Sequence, residues 1–320
     1  VRTARDRLCF FAINVCGLCF GKGDLMLNEK MVSLGMRRSV IREIFEYGKK
    51  RKAEIGEENV FDFSLGNPSV PTPAAVTAAL ERIIKETDPV RLHGYTSAQG
   101  DTAVRAKIAD SIEERFGFPA NKDLIYMTCG AAASLTVTLN ALINSGDEII
   151  IPSPFFPEYR VFAENAGAHI VTVQCRKPDF QLDIKATENA VTEKTKAIII
   201  NSPNNPTGAV FSPDTIKALS DMLCKKQAEY GTDIYIIADE PYRELSYGAE
   251  VPYIPKYYAN TVICYSYSKS LSLPGERIGY IFIPEGAADC RKLYAAVCGA
   301  GRALGFVCAP SLMQYTVAEC

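Results

Sequence analysis

The sequence has no tryptophan, no internal repeat, no low-complexity tract, no apolar run long enough for a membrane span and almost no net charge. Most of these absences remove a class of function. With 35 Lys+Arg against 37 Asp+Glu the formal charge is −2, so the composition implies neither nucleic acid nor an anionic membrane as a partner. The apolar segment Leu8 to Phe20 follows Arg2, Arg5 and Arg7 in the layout of a secretory signal. No small-residue cleavage site follows it, and it falls short of the roughly 20 apolar residues a span needs. The 11 cysteines are scattered singly through apolar segments without the spacing of a disulfide framework, which predicts buried thiols and a reducing, cytoplasmic setting. Cys16 and Cys19 have redox-motif spacing but lack a strand-to-helix context. What is present is 320 residues, 48% apolar and 22% charged, ordinary for a globular chain of about two domains.

Both ends read as unnatural. Lys22-Gly23-Asp24 can be encoded as AAA GGA GAT, which has the form of a bacterial ribosome-binding sequence just upstream of Met26. Residues 1–25 are therefore expected to be a non-native extension, with the natural start at Met26. Ala309-Pro310-Ser311 opens a helical pattern that runs to Cys320 without a cap, as in a fragment. Near the front, a helix is predicted from Ser39 with Ile41, Ile44, Phe45 and Gly48 on one face. The basic run Lys49 to Lys52 is followed at once by Glu54, Glu57 and Glu58, which predicts a solvated helix end rather than a phosphate site.

From Leu124 onward, short apolar runs alternate with helical patterns: Leu124 to Met127, Glu148 to Ile151, His169 to Val173, Ala197 to Ile200, Ile234 to Ala238, Val262 to Tyr265 and Ile278 to Ile283. Uniformly apolar runs of this length are strands covered on both faces. Ser212-Pro213 is an N-cap with proline at the first helical position, followed by Ile216, Leu219 and Leu223 on one face. The pattern predicts an α/β domain with a mostly parallel sheet.

Ligands of open α/β sheets gather at the carboxyl ends of the strands. One run ends in Asp239-Glu240-Pro241-Tyr242, where a buried acid needs a partner. Another ends in Asn201-Ser202-Pro203-Asn204-Asn205-Pro206-Thr207-Gly208, a turn fixed by proline and glycine. A third ends in Ser266-Tyr267-Ser268-Lys269-Ser270, a lysine ringed by hydroxyls with Arg277 eight positions on. The first run leads into Gly130-Ala131-Ala132-Ala133, small residues whose N–H groups suit a phosphate at a helix N-terminus. Gly299-Ala300-Gly301-Arg302-Ala303-Leu304 fails the dinucleotide fingerprint, having leucine in place of the third glycine and a helix before it.

Taken together, Gly66-Asn67-Pro68, Asn205-Pro206-Thr207-Gly208, Asp239-Glu240-Pro241-Tyr242 and Ser266-Tyr267-Ser268-Lys269 with Arg277-Ile278-Gly279 make the chain resemble the class I/II aminotransferases from about Ser39 to its end. The resemblance implies the fold type I architecture of pyridoxal-phosphate enzymes: a mostly parallel seven-stranded sheet flanked by helices, with a small α+β domain truncated here. It implies a boundary scheme of arm and part of the small domain over 26–66, the cofactor-binding domain over 67–300, and the start of a linker helix over 301–320. Lys269 would form the internal aldimine with pyridoxal 5′-phosphate and shuttle the substrate proton, and Asp239 would pair with the pyridine N–H. Tyr242 and Asn205 would hydrogen-bond the phenolic oxygen. Arg277, Ser266, Ser268 and the N–H groups of Gly130, Ala131 and Ala132 would grip the phosphate. Phe156 would stack on the ring where many relatives place tryptophan or tyrosine. Tyr95 would reach the phosphate of a neighbouring subunit in a homodimer with shared sites, and Gly66 and Asn205 would face the substrate.

The implied activity is transfer of an amino group between an L-amino acid and a 2-oxo acid by way of the pyridoxamine form, with no metal. The family's arginine for the substrate carboxylate lies in the small domain, and neither Arg291 nor Arg302 has its context. The amino donor stays open, since Gly66-Asn67-Pro68-Ser69 differs from the acidic version of aspartate-type relatives. A β-C-S lyase of the same fold would use the same residues. A cofactor-sensing regulator would need a DNA-binding domain that residues 26–65 do not offer.

Overall fold

The computed structural model describes residues 27–36 and 40–320. Expectations that fall on residues 1–26, including the start at Met26 and the Cys16/Cys19 pair, lie outside the described residues, as does the helix start at Ser39. The chain divides into two compact units, Val1–Asn67 and Pro68–Cys320.

The first unit contains α1 (Glu29–Met36) and α2 (Val40–Ile55). The basic run at the end of α2 is laced to acids around it: Lys49 to Glu46 at 3.8 Å, Arg51 to Glu54 at 2.8 Å and Lys52 to Glu57 at 3.4 Å. These largely exposed pairs are worth little each and make the solvated helix end the sequence predicts. The predicted apolar face is corrected. Gly48 is buried, but Ile44 is 52% exposed, and Phe45 is covered by the Lys49 ammonium 4.6 Å from its ring centroid.

The second unit is a sheet between two helical layers. Its helices are α3 (Ala74–Glu86), α4 (Pro89–His93), α5 (Thr102–Phe116), α6 (Ala131–Leu142), α7 (Glu158–Asn165), α8 (Ile184–Ala190), α9 (Pro213–Tyr230), α10 (Tyr267–Ser270), α11 (Cys290–Ala303) and α12 (Ser311–Val317). The strands are β1 (Ile125–Thr128), β2 (Glu148–Ser153), β3 (His169–Gln174), β4 (Thr195–Asn201), β5 (Tyr235–Asp239), β6 (Thr261–Ser266) and β7 (Gly279–Phe282). Their order is β1-β7-β6-β5-β4-β2-β3, with β7 alone antiparallel to its neighbours. All seven predicted strands exist. β4 and β6 extend beyond their apolar runs because the ladder continues through Thr195, Asn201, Thr261 and Ser266, polar residues that an apolar run excludes.

Strand alternation makes two cores. Ile198, Ile200, Ile236, Ile263 and Phe282 point to one face, against Ile108 of α5 and Leu219 and Leu223 of α9. Ile149, Ile199, Ile237, Val262 and Ile281 point to the other, against Leu135 and Leu139 of α6, Tyr159 of α7 and Val297 of α11. Each such side chain, essentially without solvent contact, contributes about 1.5–3 kcal/mol by burial. Ser212 caps α9 as predicted, accepting from the Thr215 N–H at 3.1 Å.

Two smaller expectations are corrected, and the helical setting of Gly299 to Leu304 is borne out. Only Cys264 is buried among the eight described cysteines, all free; Cys224 faces outward on α9, beside the buried Leu223. α12 does not run on uncapped to Cys320: it ends at Val317, with the Ala318 N–H turned back to Gln314 and that of Glu319 to Thr316. The Gly299 to Leu304 glycines belong to α11, where a Cβ on Gly301 would come within 2.2 Å of the Tyr126 hydroxyl. No helix among the described residues is long and apolar enough to cross a membrane.

Candidate active site

The carboxyl ends of β1, β2, β4, β5 and β6 and the start of β7 share one edge of the sheet, and register decides which side chains meet there. Asn201 at the end of β4 pairs with Asp239 at the end of β5. Gly279 pairs with Thr128 on one side and Ser266 on the other. A Cβ on Gly279 would meet the Tyr265 carbonyl oxygen at 2.3 Å and the Gly130 Cα at 3.1 Å. Only glycine lets these three backbones close together.

This closure places the N-terminus of α6 beside Arg277. Gly130 caps the helix at φ 85, a conformation for glycine, and a Cβ there would lie 3.2 Å from Arg277 Nη2. The first N–H groups of α6 have no partner within the helix, so this end carries partial positive charge next to a guanidinium. Across from it, Ser266 caps the short α10: its Oγ accepts from the Ser268 N–H at 3.2 Å and lies 2.7 Å from the Ser268 Oγ. Two hydroxyls, an arginine and a helix N-terminus form a cradle whose chemistry would suit a phosphate.

A cavity of about 200 Å³ opens next to the cradle. Its lining includes Ala131, Ala132, Phe156, Asn205, Asp239, Tyr242, Ser268, Lys269 and Arg277, nine of the residues singled out from sequence. Leu135, Tyr159, Phe162, Pro241 and Pro274 complete it. Phe156 lines it and Phe155 does not. Tyr95 is outside this lining and 98% exposed, while Gly66 belongs to the first unit.

Asp239 is the electrostatic centre. Its side chain is 4% exposed, and burial, reinforced by Glu240, raises its carboxyl to about 7 against a hydrogen bond from Tyr159 that lowers it. The Tyr159 hydroxyl donates to Oδ2, whereas Oδ1 is buried without a hydrogen-bond partner among the described residues. Such an oxygen is a site waiting for a donor. Asn205 Nδ2 donates to the Tyr242 hydroxyl at 3.1 Å. Burial and Asp239 raise the Tyr242 phenol, so it is a donor at neutral pH. Lys269, half-buried, is lowered by burial and then by Arg277, which favours a neutral, nucleophilic amine.

Three residues here have no role in the sequence reading. Tyr159 holds Asp239. Asn201 ties the Asn205 turn to the acid: its Nδ2 donates to the Asp239 carbonyl at 2.9 Å and its Oδ1 accepts from the Asn205 N–H at 2.7 Å. Arg243 forks onto Glu240 at 2.5 and 2.7 Å, donates to the Val251 and Pro252 carbonyls, and lies beside the stacked rings of Phe116 and Tyr253. The spacing of Glu240 and Arg243 in Asp239-Glu240-Pro241-Tyr242-Arg243 is the one sequence signal that could have found this pair. Arg243→Ala would leave Glu240 buried and unpaired. It is expected to cost about 3–5 kcal/mol in urea unfolding, a loss that Arg243→Lys only partly restores.

Known proteins resemble this chain in sequence and in fold. The sequence profile of the family described as aminotransferase class I and II matches residues 58–320. A probable aspartate aminotransferase of Methanocaldococcus jannaschii is 30% identical over 251 residues, covering 78% of this chain and 62% of that protein. A probable N-acetyl-LL-diaminopimelate aminotransferase of Bacillus subtilis is 30% identical over 234 residues, covering 72% of this chain and 57% of that protein. The chain thus spans about three fifths of the length of the curated relatives it matches. A crystal structure of an amino transferase from Eubacterium rectale superposes with a TM-score of 0.91 at 55% identity, covering 93% of this chain and 75% of that one.

Proposed function

This chain belongs to the class I and II aminotransferases, and on that footing we propose that it serves to move an amino group between an L-amino acid and a 2-oxo acid with pyridoxal 5′-phosphate as cofactor. The observation that carries the reading is the convergence in one cavity of Lys269, the unpartnered Asp239 Oδ1 and the cradle at Arg277. Each answers one part of the cofactor: aldehyde, ring nitrogen and phosphate.

When bound, pyridoxal phosphate supplies an electron sink for charge developing at the substrate Cα. Everything else falls to the protein. Arg277, Ser266, Ser268 and the N–H groups of Gly130, Ala131 and Ala132 hold the phosphate. Asp239 Oδ1 would accept the ring N–H and so keep the ring cationic. Tyr242 and Asn205 would donate to the phenolic oxygen, and Phe156 would cover one face of the ring. Lys269 would be the amine that holds the cofactor's aldehyde end, and it would carry the proton at the substrate Cα as general base and acid. Gly66 and Asn205 serve the substrate. We propose with this a homodimer in which the exposed Tyr95 serves the partner's phosphate cradle, and a cytoplasmic setting that the cysteine spacing supports.

The test is a visible spectrum of the chain loaded with pyridoxal phosphate, taken before and after a panel of amino acids. A cofactor band that bleaches with an amino acid and returns with a 2-oxo acid is the expected result. A band that persists while ammonia accumulates would convert the assignment to an eliminating enzyme. Arg277→Lys is expected to weaken cofactor binding by roughly 10-fold or more in an absorbance titration, since a point charge replaces a fork matched to phosphate oxygens.

A further inference from the structure

The Tyr159 phenol lies in the first turn of α7, 2% exposed, in the core on the α6 side of the sheet. Its ring is stacked against Phe155 at 6.5 Å between centroids and meets Phe156 edge-on at 5.6 Å. That packing would be served equally well by phenylalanine. The hydroxyl is the part that packing does not explain, because a buried phenol without an acceptor costs free energy. It reaches 80 residues along the chain to one oxygen of one carboxylate, Asp239 Oδ2.

The consequence lies with the other oxygen. A carboxylate rotated about its Cβ–Cγ bond presents either oxygen, or both edge-on, to a neighbour. With Oδ2 held by a donor on a rigid helix, Oδ1 alone is left to the cavity that both side chains line. The backbone of Asp239 is held separately, by Asn201 and by the β4 ladder, so at Asp239 the tyrosine hydroxyl acts on the carboxylate alone. Resting on the reading of Asp239 as the ring-nitrogen partner, we infer that Tyr159 is its positioning residue: the phenol sets which oxygen faces the pyridine nitrogen and holds the anion that keeps that nitrogen protonated. The direction of the Asp239 titration agrees, since the Tyr159 hydrogen bond opposes the rise that burial causes.

The experiment loads the full chain with pyridoxal phosphate carrying ¹⁵N in the ring and reads the ring-nitrogen resonance, which separates pyridinium from neutral pyridine. Wild type, Tyr159→Phe, Asp239→Asn and the double variant are compared, together with the cofactor dissociation constant. Tyr159→Phe is expected to move the resonance toward neutral pyridine and to weaken binding by roughly 10-fold, the value of one hydrogen bond to a charged group. Asp239→Asn is expected to reach the neutral position, with no further change in the double variant. An unmoved resonance in Tyr159→Phe, with Asp239→Asn neutral, would overturn the inference and leave Tyr159 a core filler. A wild-type resonance in Asp239→Asn would instead overturn the role of Asp239 itself, and the inference with it. If Tyr159→Phe lacks a cooperative melting transition, 3,5-difluorotyrosine at position 159 keeps the ring and strengthens the donor. The resonance must then move away from neutral pyridine, and a stationary one overturns the inference.

Discussion

Lys269→Ala is expected to abolish covalent capture of pyridoxal phosphate and to lower turnover by roughly 10⁴-fold or more, since on the proposed reading one side chain would supply both the nucleophile and the proton carrier. The fold makes it suitable for both. β6 delivers the chain to the sheet edge, Ser266 caps the single turn of α10, and Lys269 is thereby aimed into a cavity in which it is the only lysine among the described lining residues. Burial and the nearby Arg277 both disfavour the ammonium, so more of the amine is neutral near pH 7 than on a surface lysine. Borohydride reduction of the loaded chain followed by peptide mass mapping should put the cofactor mass on the peptide containing Lys269, and on no peptide of the variant. Lys269→Arg keeps a cation without a usable nucleophile and should fail equally. Label on another lysine in the Ala variant would remove Lys269 from the mechanism.

What could be read in advance from the chain, and what could not, follows the range of the interactions. The seven strands were legible because both faces of the sheet's centre are covered, so most strands carry an apolar run, and because residues just past such runs collect at one edge. Asp239, Asn205, Lys269 and Arg277 stand in short motifs, and nine of the chosen residues line one cavity. Tyr159 was not legible: three positions after Phe156, it reads as one more core aromatic, and the acid it serves is fixed only by packing α7 over the sheet. Asn201 was visible as a strand-end polar residue, but that it braces both the Asn205 turn and Asp239 depends on the β4–β5 register. Apolar runs also stop short where polar residues continue a ladder, as at Asn201 and Ser266. Helical periodicity overstated the α2 face, because it cannot say whether anything packs on Ile44.

Asp239→Asn is expected to make the cofactor-free chain more stable and the loaded enzyme nearly inactive, and the two effects have one cause. A carboxyl raised to about 7 in the fold binds its proton more tightly there than in the unfolded chain, where 3.8 applies. Protonation therefore stabilises the cofactor-free fold; this contribution is full below about pH 4 and is lost as pH rises through about 7. Three pH decades at about 1.4 kcal/mol each put the loss on the order of 4 kcal/mol. Asparagine has nothing to ionise and its carbonyl still accepts from Tyr159, so urea unfolding of the cofactor-free variant should be nearly flat between about pH 5 and 8 where wild type declines. A variant that declines in parallel with wild type would show that another group carries the pH dependence. With cofactor bound the balance reverses. A neutral amide cannot hold a proton on the ring nitrogen, and loss of a buried charge partner of that worth corresponds to roughly 10³-fold in turnover at saturating cofactor. On the proposed reading the fold keeps a carboxylate that weakens it at neutral pH because the site's chemistry would need it.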